Sequence, residues 1–103
     1  MNSFGINELS INILKNIFSK YENIKEVNLY GSRAKGNHHD RSDVDLVICN
    51  SNIDRQLLGN LILEINNSNF PYMVDIQVFE NLKNEKLIEH INRVGKVFYK
   101  KEN

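Results

Sequence analysis

The chain predicts an α+β fold, a small β-sheet covered by helices. Stretches with apolar residues three and four positions apart alternate along it with short stretches of two-residue alternation or continuous apolar character. Its 103 residues are the size of one domain, residues 1–103, and no repeat, linker or low-complexity segment interrupts them. A hydrophobic fraction of 41% is that of a globular chain with a real core.

Residues 6–21 carry Ile6, Leu9, Ile13, Leu14, Ile17, Phe18 and Tyr21 at helical spacing, with Asn7 as N-cap. Residues 25–30 read as a strand that ends at Gly31. Residues 32–37 have room for one or two helical turns. The stretch 37–42 is entirely polar and reads as an exposed loop, including His38 and His39, whose plain reading is solvation. A second strand spans 43–49 and is apolar enough at its end to be buried on both faces. A helix follows over 54–66, capped by Asp54 or Asn52, with Leu57, Leu58, Leu61, Ile62 and Ile65 on one side. After a turn at 67–71, residues 72–79 read as a strand with Val74, Ile76 and Val78 on one face and Asp75, Gln77 and Phe79 on the other. The last helix, 84–94, turns Leu87, Ile88, Ile91 and Val94 inward and stops at Gly95. Residues 96–99 form a short strand or an extended tail, and 100–103 are expected to fray.

Charge narrows the functional classes. Lys plus Arg and Asp plus Glu each number 13, so the formal net charge is zero. That argues against a grip on long nucleic acid, which needs a basic face. Cys49, the only cysteine, lies in the apolar run Leu46 to Cys49 and reads as a small core residue. No apolar run approaches the roughly 18 residues of a membrane span, and the N-terminus has no signal-peptide pattern, so a cytoplasmic location is the expectation.

The chemistry concentrates in residues 30–46. Asp43 and Asp45 stand two apart at the start of a strand, which points both carboxylates to one face. Paired carboxylates repel unless a cation lies between them or one keeps its proton. Hard oxygen ligands on a rigid strand suit Mg²⁺. Ten residues earlier, Gly31 and Ser32 lie between a strand and a helical turn, where close backbone approach, N–H groups and a hydroxyl suit a phosphate, with Arg33 and Lys35 adding positive charge. Alone, either half is an ordinary turn or a solvated strand start; together, in this context, they are specific.

Gly31-Ser32, ten residues, then Asp43-x-Asp45 resembles the signature of the DNA polymerase beta-like nucleotidyltransferases. The run from Leu29 to Gly36 with Ser42 to Val47 is similar to the minimal nucleotidyltransferases of the MntA-like antitoxin group, and the similarity continues through Tyr72 to Val78 and Leu87 to Tyr99. It implies a small mixed β-sheet of the polymerase beta palm type. It further implies a third carboxylate, matched by Asp75. Asp43, Asp45 and Asp75 would then be the catalytic, metal-binding residues for two Mg²⁺ ions. Gly31 and Ser32, supported by Arg33 and Lys35, would hold the β- and γ-phosphates of ATP. The implied activity is transfer of a nucleoside monophosphate, AMP first, to a hydroxyl. The chain's length leaves little material for an acceptor-binding domain, so the acceptor is expected on a small helical partner, a HEPN toxin or a paired substrate-binding protein. A binding module that neutralises its partner by contact alone, and a transferase acting on a small molecule, are the alternatives.

Overall fold

The computed structural model describes residues 4–102, and its order of elements follows from local signals. Helix α1, Glu8–Ser19, begins where the Asn7 side chain accepts a hydrogen bond from the Ser10 N–H at 2.8 Å. Strand β1 is Glu26–Tyr30, and the single turn α2 is Ser32–Lys35, closed by Gly36 in the left-handed conformation. Strand β2 is Val44–Cys49. Helix α3, Arg55–Asn66, is capped by Asp54, which accepts from the Leu57 N–H at 2.8 Å. Strand β3 is Val74–Val78, shorter at both ends than the 72–79 expected; at its C-terminal end Phe79–Asn81 closes into a 3-10 turn. Helix α4, Glu85–Val94, starts from the Asn84 cap. Residues Lys96–Lys100 form β4, which resolves the choice between strand and tail. Most of the terminus expected to fray is engaged: Lys100 belongs to β4 and the Lys101 N–H donates to the Lys25 carbonyl at 2.9 Å, while Asn103 lies outside the described residues.

The sheet has four strands in the order β3-β2-β1-β4. β1 pairs antiparallel with β2 and β4, and β2 pairs parallel with β3, so the sheet is mixed. Its two faces differ in kind. Val27 and Leu29 of β1, with Val44, Leu46 and Ile48 of β2, are fully buried against α1 and α3. On the opposite face Tyr30, Val47 and Cys49 form a smaller cluster under Ile91 of α4. Beyond that cluster the second face is polar and open.

Two helix faces are narrower than their spacing suggests. Leu9 is 80% exposed, because five positions turn it about 140° away from Leu14. Ile62 is 38% exposed, while Leu61 and Ile65 hold the contact with the sheet. The aromatic end of β4 completes the main core. Phe98 is buried, edge-on to Phe18 with ring centroids 6.3 Å apart. No helix among the described residues is long and apolar enough to cross a membrane.

Candidate functional site

Register builds the site. Tyr30 of β1 lies opposite Asp45 of β2, and Asp45 lies beside Asp75 of β3. Residues opposite one another on paired strands share a face. Tyr30, Asp45 and Asp75 therefore form one row across three strands, on the face that α4 only partly covers. Asp43 sits just before β2 and is exposed, as is Asp75, whereas Asp45 is half-buried.

The electrostatics of Asp45 record the crowding. Its pKa is raised, first by burial and then by the charges of Asp75 and Asp43; the His90 ring, when protonated, pulls the other way. Tyr30 feels the same carboxylates. Burial, then Asp75 and Asp45, push its hydroxyl up to about 12, so it stays protonated. Neither ion pair among the described residues, Lys20–Glu64 or Arg93–Glu89, uses these carboxylates. Asp75 has only long contacts to the Gln77 amide, 3.4 Å to each oxygen.

This donor set fits a hard divalent cation. It is oxygen-only, carries uncompensated negative charge, and shares one open face. It is not a finished cage: among the described residues no three Asp, Glu, His or Cys side chains are already grouped closely enough to hold an ion. Water and substrate phosphate complete such a shell in sites of this chemistry.

Gly31 carries the other half of the site. Its φ is +78°, and a Cβ built there would fall 2.2 Å from Oδ2 of Asp45. The backbone thus lies directly on the carboxylate, an approach only glycine permits. Ser32, half-buried, opens α2 immediately after it. The Gly31 N–H donates to Nε2 of His90 at 3.2 Å. That amide is taken, which leaves the Ser32 N–H and hydroxyl as the donors this turn offers a phosphate. Lys35 is exposed at the end of α2.

Arg33 is placed differently from the phosphate-supporting role expected of it. It is 2% exposed. Its Nε and Nη2 donate to the Ser42 carbonyl at 3.1 and 2.9 Å, Nη1 to the Phe4 carbonyl at 2.8 Å, and Nη2 also to the Asp40 carbonyl at 3.4 Å. Its guanidinium lies 4.4 Å from the centroid of the Tyr72 ring. A planar fork of five donors suits several backbone carbonyls at once, and here it ties α2 to the residue that precedes Asp43. The loop 37–42 is correspondingly less solvated than its composition suggests. His38 is half-buried, its Nδ1 has no hydrogen-bond partner, and its ring fills the space where a side chain at Gly5 would go.

Two residues at the site carry no role in the motif itself, Tyr30 and His90. His90 is edge-on to Tyr30, with centroids 6.2 Å apart. The signal for it was present: His90 interrupts the inward stripe of α4, three residues after Leu87 and four before Val94.

Comparison with known proteins agrees with this geometry. The sequence matches the family described as Polymerase beta, Nucleotidyltransferase over residues 12–103. No curated protein matches the chain. Among solved structures, it is similar to a toxin–antitoxin crystallised with AMP-PNP, at TM-score 0.68 and 20% identity, over 94% of this chain and 76% of that one. A second is the toxin–antitoxin MntA-HepT, at TM-score 0.65 and 15% identity, over 92% and 74%. A proposed nucleotidyltransferase from Sulfolobus solfataricus matches at TM-score 0.53 and 23% identity, over 90% and 78%. At these identities the structural likenesses establish the fold, and the family match spans all four strands and both halves of the site. The chain belongs to the polymerase beta nucleotidyltransferase family.

Proposed function

We propose that this protein transfers AMP from ATP to a hydroxyl of a partner protein, as the antitoxin of a toxin–antitoxin pair. The observation that supports the reading is Asp45 beside Asp75 on parallel strands, with the charge of Asp43 close enough to act on Asp45 and a glycine pressed onto the same carboxylate. The similarity to toxin–antitoxin structures, one of them solved with AMP-PNP, supports the choice of nucleotide and partner class.

In this reading Asp43 and Asp45 hold Mg²⁺, and Asp75 joins them on the acceptor side. When bound, Mg²⁺ neutralises the carboxylates and stabilises charge on the reacting phosphate. Ser32 holds the β- and γ-phosphates through its N–H and hydroxyl, Gly31 lets the backbone come close, and Lys35 lies alongside. The acceptor oxygen forms its bond to the α-phosphorus as the bond to the bridging oxygen breaks. Pyrophosphate leaves, and Asp75 takes the acceptor proton. Positioning and charge supply most of the rate, as is general for transfer at phosphorus. The partner, a small helical protein of the HEPN type, supplies the acceptor hydroxyl.

Incubation with labelled ATP, Mg²⁺ and the protein encoded by the adjacent gene tests the proposal. Label should move to the partner, and Asp43→Ala or Asp45→Ala should reduce transfer by at least about a hundredfold. No transfer by the parent protein sinks the enzymatic reading. Protection of cells by the Asp43/Asp45 double variant would make contact, not chemistry, the basis of neutralisation.

A further inference from the structure

We infer that His90 is a positioning residue for the transfer site: from α4 it latches the Gly31 peptide onto Asp45. The inference rests on the nucleotidyl-transfer reading and adds a residue that the motif does not contain.

Three contacts meet at this point. Gly31 has no side chain, and none would fit, because Asp45 Oδ2 occupies the position of its Cβ. The residue that permits the approach is also the one with the greatest backbone freedom, so its conformation has to be held from outside. The Gly31 N–H donates to Nε2 of His90 at 3.2 Å. The same imidazole is edge-on to Tyr30, the preceding residue, at 6.2 Å. One side chain thus grips both residues of the peptide leading into Ser32.

The latch is mounted on a fixed support. Asn84 caps α4, accepting from the N–H groups of Lys86 and Leu87 at 3.0 and 3.2 Å. Ile91, next to His90, is buried on the sheet against Val47 and Cys49. At the far end Gly95 lies so close to the Ile91 carbonyl that a Cβ there would approach it to 2.5 Å. A flat ring with an acceptor nitrogen at its tip spans the gap from this helix to the β1–α2 junction. Accepting through Nε2 requires that nitrogen to be unprotonated, which places the proton of the neutral ring on Nδ1.

Two substitutions separate the acceptor from the shape. His90→Gln keeps a carbonyl acceptor, and His90→Leu removes it. For Mg·ATP, His90→Leu should weaken binding about tenfold, and His90→Gln should stay within about threefold of the parent. Exchange of the Gly31 amide hydrogen should accelerate by a similar factor in His90→Leu only. Unchanged binding by His90→Leu, or equal loss in both variants, overturns the inference. In the parent protein, ¹⁵N shifts of the neutral imidazole read the latch without any substitution: the tautomer with its proton on Nδ1 is expected, and the one with its proton on Nε2 overturns it. A parent protein that binds no Mg·ATP defeats the transfer reading instead, while the imidazole shifts and amide exchange still judge the His90–Gly31 bond.

Discussion

Asp45 is a charge held at a cost. Burial and two neighbouring carboxylates raise its pKa, so the folded state binds its proton more tightly than the unfolded chain does. The sign follows directly. The contribution of Asp45 to stability is full below the unfolded carboxylate value and is lost as pH rises through the raised folded value. Asp45→Asn should therefore melt a few degrees higher than the parent at neutral pH, with the difference shrinking in mild acid, while transfer activity is lost. Equal melting temperatures at pH 7 would remove the like-charge account. Mg²⁺ should raise the parent's melting temperature by relieving the same repulsion, and should leave an Asp43/Asp45 double alanine variant unmoved. Arg33 is the opposite case, a buried charge whose three side-chain nitrogens each donate to a carbonyl oxygen. Arg33→Lys keeps the charge and loses the fork and the stacking on Tyr72, at an expected loss of about 2 kcal/mol in chemical denaturation. A stable Arg33→Lys protein with weakened ATP binding would restore the phosphate role instead. The like-charge strain on Asp45 was legible in its spacing from Asp43, but the inward turn of Arg33 was not. Arg33 next to Gly-Ser has the same composition whether it faces solvent or folds back onto Ser42, and only the path of loop 37–42 decides.

The junction of β1 with α2 is tightly constrained. Gly31→Ala meets both a left-handed φ and the Asp45 carboxylate, so it should cost about 2 kcal/mol or more and abolish transfer. A folded, active Gly31→Ala protein would contradict the close approach. Along β1, the edge strand β4 is anchored by two aromatics, Phe98 and Tyr99, both packed against Phe18. Phe98→Ala should destabilise the fold by about 3 kcal/mol, read from the urea midpoint, because its ring fills the core beside Phe18. Most elements were readable from local signals. Asn7, Asp54 and Asn84 all cap as their positions suggest, since a cap depends on residues within one turn. Element edges were less so: β3 gave up Phe79 at its C-terminal end to a 3-10 turn, and β4 is a strand because β1 offers it a partner.

At the scale of the molecule, the division of labour lies between the two sheet faces. One is closed by α1 and α3 into the main core. The other is half closed by α4, leaving the row Tyr30–Asp45–Asp75 at its open part. A parallel β2–β3 pair brings Asp75 beside Asp45 after an intervening helix, which makes a site from residues 30 positions apart in sequence. The chain's radius of gyration, 12.9 Å, is that of about 100 residues folded compactly, and α1 and α3 are bridged by Glu64, which accepts from both Lys20 and Tyr21. Those two hydrogen bonds lower the Glu64 pKa; the Lys20 contact is exposed and the Tyr21 contact is part-buried.

What the sequence determined by itself was the helices and the first three strands, the two faces of β3, and the spacing that makes Gly31, Ser32, Asp43 and Asp45 candidates. These depend on spacing within one strand or one turn, where a period of two or 3.6 residues is the whole of the physics. The tertiary structure decided what those residues meet. It placed Asp75 beside Asp45, turned Arg33 inward, and brought His90 from α4 to the Gly31 amide. The Asp45–Asp75 and Gly31–His90 pairs are 30 and 59 positions apart and Arg33 folds back across a loop, so strand order, helix docking and loop path, not periodicity, bring these residues together.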